Sequence, residues 1–159
     1  MKDNQNKTLG IGVIGYNIGR VHMNSWKNLP LYVCPPPAIP SLISISGRNK
    51  ESVSAASKLY GSKRYHTDWR DLVNDPEVQV VDNCTPPNLH EEICVNAAER
   101  GKHILCEKPL ARNSGEAERI LRAAKKAGIL HMVGFNFRFV PAIMHAKKLI
   151  DEGYIGRLF

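Results

Sequence analysis

The 159-residue chain has no long apolar run; its uninterrupted apolar stretches stay under ten residues, whereas a membrane-spanning helix needs about 20. The first eight residues, MKDNQNKT, lack the apolar core of a signal peptide and read as a flexible N-terminus. A cytoplasmic protein is expected. Cysteine is scarce: Cys34, Cys84, Cys94 and Cys106 form no C-x-x-C pair, and two of them end apolar runs, so reduced core thiols fit better than a disulfide framework. The six histidines show neither H-x-x-x-H nor H-x-H spacing, so no metal site is expected. No biased tract, aromatic-interleaved basic motif or zinc-finger spacing is present, which argues against disorder and against nucleic-acid binding.

What is present is the composition of one globular domain, with 43% apolar and 23% charged residues. The net charge of +7 is uneven: residues 97–159 carry 12 basic and 6 acidic side chains, residues 1–96 carry 10 and 9. Around Glu116, Glu118, Arg119, Arg122, Lys125 and Lys126 the basic residues fall at helical spacing among acidic ones, the pattern of a solvated helix face.

Along the chain, strand and helix signals alternate. The apolar run 9–15 predicts a strand, and residues 18–28 a helix with Ile18, Val21 and Trp26 available to face a core. The proline-dense stretch 27–40 predicts an extended surface loop. A strand follows over 41–46, a helix capped by Asn49 reaching about Tyr60, a short strand over 63–66, and a short helix capped by Asp68. Strands are then predicted over 78–84, 103–106 and 130–134. Between and after them lie helices over 88–100, stopped by Gly101, over 114–127, stopped by Gly128, and over 141–152, opened by Pro141 and followed by Gly153. Six strands alternating with helices specify an α/β fold, a doubly wound parallel sheet of the Rossmann type over residues 9–156.

A literal G-x-G-x-x-G at Gly10, Gly12 and Gly15 is misplaced for a ligand, because Gly10 and Gly12 fall inside the predicted strand. The strand-to-helix turn is Gly15-Tyr16-Asn17-Ile18-Gly19, one residue shorter than the usual spacing and without the middle glycine. Asn17 is expected to substitute there, since asparagine tolerates left-handed dihedrals. The tip of the second strand, Ser46-Gly47-Arg48-Asn49, has no carboxylate for an adenosine ribose; Arg48 can pair with a 2′-phosphate, which tilts the cofactor from NAD toward NADP.

Downstream, Thr85-Pro86, Asn88 and His90 follow one strand, and Cys106-Glu107-Lys108-Pro109 follows its neighbour; ligands of open α/β sheets bind at such carboxyl ends. These residues, with the surrounding GKHILCEKPLA, VGFNFRF and GYIG stretches, resemble the Gfo/Idh/MocA oxidoreductase family over essentially the whole chain from Leu9. The resemblance implies nicotinamide-dependent oxidation or reduction of a sugar, polyol or related hydroxy compound, without a nucleic-acid or membrane partner. Lys108 matches the family lysine beside the nicotinamide and the reacting hydroxyl. Glu107 is expected to position the nicotinamide ribose, while Thr85, Pro86, Asn88 and His90 line the cofactor crevice. The resemblance further implies a second domain that supplies most of the substrate pocket and, in many members, an Asp-x-x-x-His pair. Residues 157–159 read as the start of that domain, so the fragment alone is not expected to turn over. A homo-oligomer of the longer protein is left open, and the alternative is a stand-alone noncatalytic dinucleotide-binding or regulatory module.

Overall fold

The computed structural model describes residues 7–157. Leu158 and Phe159, expected to belong to a second domain, and most of the N-terminal segment lie outside the described residues. Six parallel strands form one sheet: β1 (Thr8–Ile14), β2 (Ile39–Ser46), β3 (Arg64–His66), β4 (Val80–Asn83), β5 (His103–Cys106) and β6 (His131–Val133). Their order is β3-β2-β1-β4-β5-β6, which places the topological switch between β1 and β4. The helices are α1 (Gly19–Tyr32), α2 (Lys50–Tyr60), α3 (Trp69–Asn74), α4 (His90–Glu99), α5 (Ser114–Ala127) and α6 (Pro141–Asp151).

Local chemistry sets most boundaries. The side chains of Asn49, Asp68 and Asn113 accept N–H bonds at the starts of α2, α3 and α5. Gly61 and Gly128 close α2 and α5 in the left-handed conformation. Two buried clusters cover the sheet, one around Ile93, Ala97, Val81 and Ile104, the other around Met23, Ile11, Val13 and Ile45.

Three expectations are corrected. Helix α1 continues through Pro30 to Tyr32 instead of giving way to a loop at residue 27. Proline removes only one N–H, and so near the helix end little is lost; Val33 still donates to the Leu29 carbonyl. Met23 is the fully buried apolar residue of α1, whereas Ile18 and Val21 are exposed. Cys34 is also exposed, because it sits in the proline-rich connection; the other three thiols are buried, and all four are free. Among the described residues no helix is long and apolar enough to cross a membrane.

Candidate functional site

At the carboxyl ends of β1, β2 and β4 the chain forms a cleft of about 660 Å3, lined by Gly15, Tyr16, Asn17, Ser46, Arg48, Thr85, Pro86 and Asn88 among others. Gly15 makes this possible. Its φ is +97°, and a Cβ there would lie 2.5 Å from the Cys84 carbonyl oxygen, so a side chain would be strained and would clash. Gly19 lets α1 approach the sheet, since a Cβ would meet Val13 Cγ1 at 3.1 Å. Asn17 does not take the left-handed role expected of it: among the described residues every positive φ belongs to glycine. The shortened turn needs only one such residue, and Gly15 supplies it.

Helix α1, like α4 and α6, has no side chain bonded to its N-terminus, where the Arg20 and Val21 N–H groups donate to the carbonyls of Tyr16 and Ile18. The positive end of the helix dipole still faces this end of the sheet, which favours an anion there. The fit to a dinucleotide therefore rests on two features of this chain: a glycine turn that lines the cleft and a cleft that runs on to Arg48.

The literal glycine motif is structural, as its place in the strand implies. A Cβ on Gly10 would sit 1.9 Å from the Glu77 carbonyl oxygen, and one on Gly12 would sit 2.7 Å from Leu72 Cδ2.

Beyond the cleft, the loops after β4 and β5 are tied together. The Thr85 hydroxyl donates to Asn83 Oδ1 at 2.7 Å, and the Asn83 side chain is fully buried beneath it. His90 is likewise fully buried instead of lining the crevice. Its ring nitrogens lie 2.7 Å from the Thr85 carbonyl oxygen and 3.0 Å from that of Pro109, so it braces one loop against the other. Lys108 is exposed on the second loop and is not among the residues of the cleft wall. Ile18 and Gly19 are likewise not part of the cleft lining.

The reading of single residues missed His22. Its Nδ1 lies 3.0 Å from both oxygens of Asp82, which is completely buried, and its Nε2 lies 3.1 Å from Glu107 Oε1. Trp26 Nε1 donates to Asp82 Oδ2 at 2.7 Å, and the Cys84 thiol donates to Oδ1. The hydrogen bond to Asp82 raises the pKa of His22 above the ordinary histidine value against the opposing cost of burial, and the charge of Asp82 and Glu107 add to the rise. Burial, with Asp82 nearby, pushes the Cys84 thiol far up. The donor atoms of His22, Asp82 and Cys84 lie within 4.8 Å of one another, but the Asp82 oxygens already accept from three donors.

Strand order and a glycine turn lining a cleft at the strand ends together define a dinucleotide-binding α/β domain. The chain belongs to the Gfo/Idh/MocA oxidoreductase family: the model of that family's NAD-binding Rossmann fold matches residues 9–135. It is 42% identical over 153 residues to levoglucosan dehydrogenase of Pseudarthrobacter phenanthrenivorans, covering 96% of this chain and 39% of the relative. It is 30% identical to myo-inositol 2-dehydrogenase of Thermotoga maritima, covering 92% of this chain and 42% of that one. A solved levoglucosan dehydrogenase in complex with NADH and levoglucosan superposes with a TM-score of 0.89 at 43% identity, over 95% of this chain and 41% of the other. The chain thus spans about two fifths of the length of these relatives.

Proposed function

We propose that this chain is the cofactor-binding part of an NAD(P)-dependent oxidoreductase that moves a hydride between nicotinamide and a sugar, polyol or related hydroxy compound. The observation that carries the reading is the convergence of the Gly15 turn, the Thr85 loop and the Glu107-Lys108 loop at the carboxyl ends of β1, β4 and β5. Bound nicotinamide supplies the hydride chemistry. Gly15, Tyr16, Asn17, Ile18 and Gly19 hold the pyrophosphate end, Ser46 and Arg48 the adenosine end, and Thr85, Pro86 and Asn88 the middle; His90 and Glu107 support their loops. Lys108 is the catalytic residue, a cation placed to lower the pKa of the reacting hydroxyl or to polarise the carbonyl. The relatives named above are dehydrogenases, which favours this reading over a noncatalytic module.

In its finer form the proposal is that NADP is accepted in preference to NAD. The β2 tip holds no carboxylate, and Arg48 lies in the cleft wall where a 2′-phosphate would need a partner. A cytoplasmic location completes the proposal.

Calorimetric titration with NAD and with NADP tests it. Binding of both is expected, with Gly15→Ala abolishing it and Arg48→Ala weakening NADP about tenfold while sparing NAD. Absence of binding at millimolar concentrations of either would overturn the reading; a preference for NAD that survives Arg48→Ala would overturn only the NADP part.

A further inference from the structure

A buried carboxylate is costly unless donors meet its oxygens. Asp82, within β4, meets three, and one of them faces a second carboxylate on its other side. His22 stands between them, on α1, one turn behind the glycine turn. Glu107, held at Oε1 by His22, accepts at Oε2 the backbone N–H of Lys108 at 2.9 Å. Gly134, just past β6, leaves room for that carboxylate: a Cβ there would come within 3.2 Å of Glu107 Oε1. The result is one continuous line of hydrogen bonds, Asp82 to His22 to Glu107 to the main chain of Lys108.

We infer that His22 is a positioning residue of this site, joining the helix that begins at the dinucleotide turn to the loop that carries Lys108. This rests on the cofactor reading above and deepens it. The chemistry of the link is specific to an imidazole. A ring with hydrogens on both nitrogens donates to two carboxylates at once, whereas a neutral ring donates to one and turns a lone pair on the other. The titratable groups facing the ring are Asp82 of β4, Cys84 just after it and Glu107 after β5. The line is therefore complete only while the ring holds both hydrogens, the form that the hydrogen bond to Asp82 favours.

The experiment compares this chain with His22→Gln and Glu107→Gln, following ring nitrogens and amide exchange by NMR and NAD binding by calorimetry. Glutamine fills the space of the ring but cannot bridge both carboxylates, and Glu107 is close enough to the surface for its amide variant to keep the fold. In the unsubstituted chain both His22 ring nitrogens are expected to carry hydrogens above pH ~6.5, the ordinary histidine midpoint. In Glu107→Gln that midpoint falls. In His22→Gln the Lys108 amide exchanges about tenfold faster and NAD binds about tenfold more weakly, while β1 and β4 amides are unchanged. Unchanged Lys108 exchange in His22→Gln, or a His22 midpoint that Glu107→Gln does not move, would overturn the inference. Failure of the unsubstituted chain to bind NAD would overturn the cofactor reading instead, and the exchange and titration results, which need no ligand, still decide the role of His22.

Discussion

Three polar side chains at or just beyond the carboxyl end of β4 are buried more completely than the apolar side chains of residues 135–155. Asp82, Asn83 and His90 have no exposed surface, whereas Phe137 and Tyr154 are 72% and 78% exposed. Helix α6 buries none of its residues, although Ile143, Met144 and Ile150 give it an apolar content that a packed helix would turn inward. The contrast shows that burial here follows the supply of partners more than the polarity of the residue. At the strand ends each of these polar groups meets a partner: Asp82 the His22 ring on α1, Asn83 the Thr85 hydroxyl, and His90 the carbonyls of Thr85 and Pro109. Along residues 135–155 the described residues provide no comparable surface, so that helix draws little of its stability from packing.

The sharpest way to break this comparison is to remove the buried acid. Asp82→Ala leaves Trp26 and His22 without their acceptor and is expected to cost about 3–5 kcal/mol in urea unfolding. A loss under about 1 kcal/mol would show the polar cluster to be replaceable. Next in size is a pH effect. Because folding raises the His22 pKa, chiefly through its hydrogen bond to Asp82, its contribution is complete below the unfolded midpoint of ~6.5. That contribution disappears as pH rises through the higher folded value. The melting temperature of the unsubstituted chain should therefore exceed that of His22→Gln most at acidic pH, with the gap narrowing toward alkaline pH; a gap that widens would contradict the assignment. Smallest is the change at the exposed segment: Phe137→Ser should alter stability by no more than about 0.5 kcal/mol. A loss like that of a core phenylalanine would mean the segment is packed after all.

How far these regions were legible in the sequence depended on the range of the interactions. Asn49, Asp68, Gly61 and Gly128 act on backbone within a few residues, so the ends of α2, α3 and α5 follow from local chemistry. The parallel sheet followed from alternation, and the loops after β4 and β5 from their place at strand ends. Pro30 was misread because a proline's cost depends on how much helix remains beyond it. His22 was overlooked because its partners stand 60 and 85 residues away. A signal was nevertheless available: an aspartate following two valines in a strand read as buried requires donors, and a histidine and a tryptophan one turn apart on the first helix could provide them.

Gly10 and Gly12 bear on how variation in such chains is interpreted. Both positions are closed to larger residues by the Glu77 carbonyl and the Leu72 side chain, and no ligand is involved in that closure. A catalogue of tolerated substitutions would therefore show near-invariance at these two glycines as at Gly15, which its positive φ and the Cys84 carbonyl close to larger residues but which alone of the three lines the cleft. Treating the three as one ligand-binding motif would place a pyrophosphate about 16 Å back along the strand from the turn that has room for it. Intolerance at residues 10, 12 and 15 alike reports how closely the chain packs upon itself, and the cleft is located by which of them lines it, Gly15.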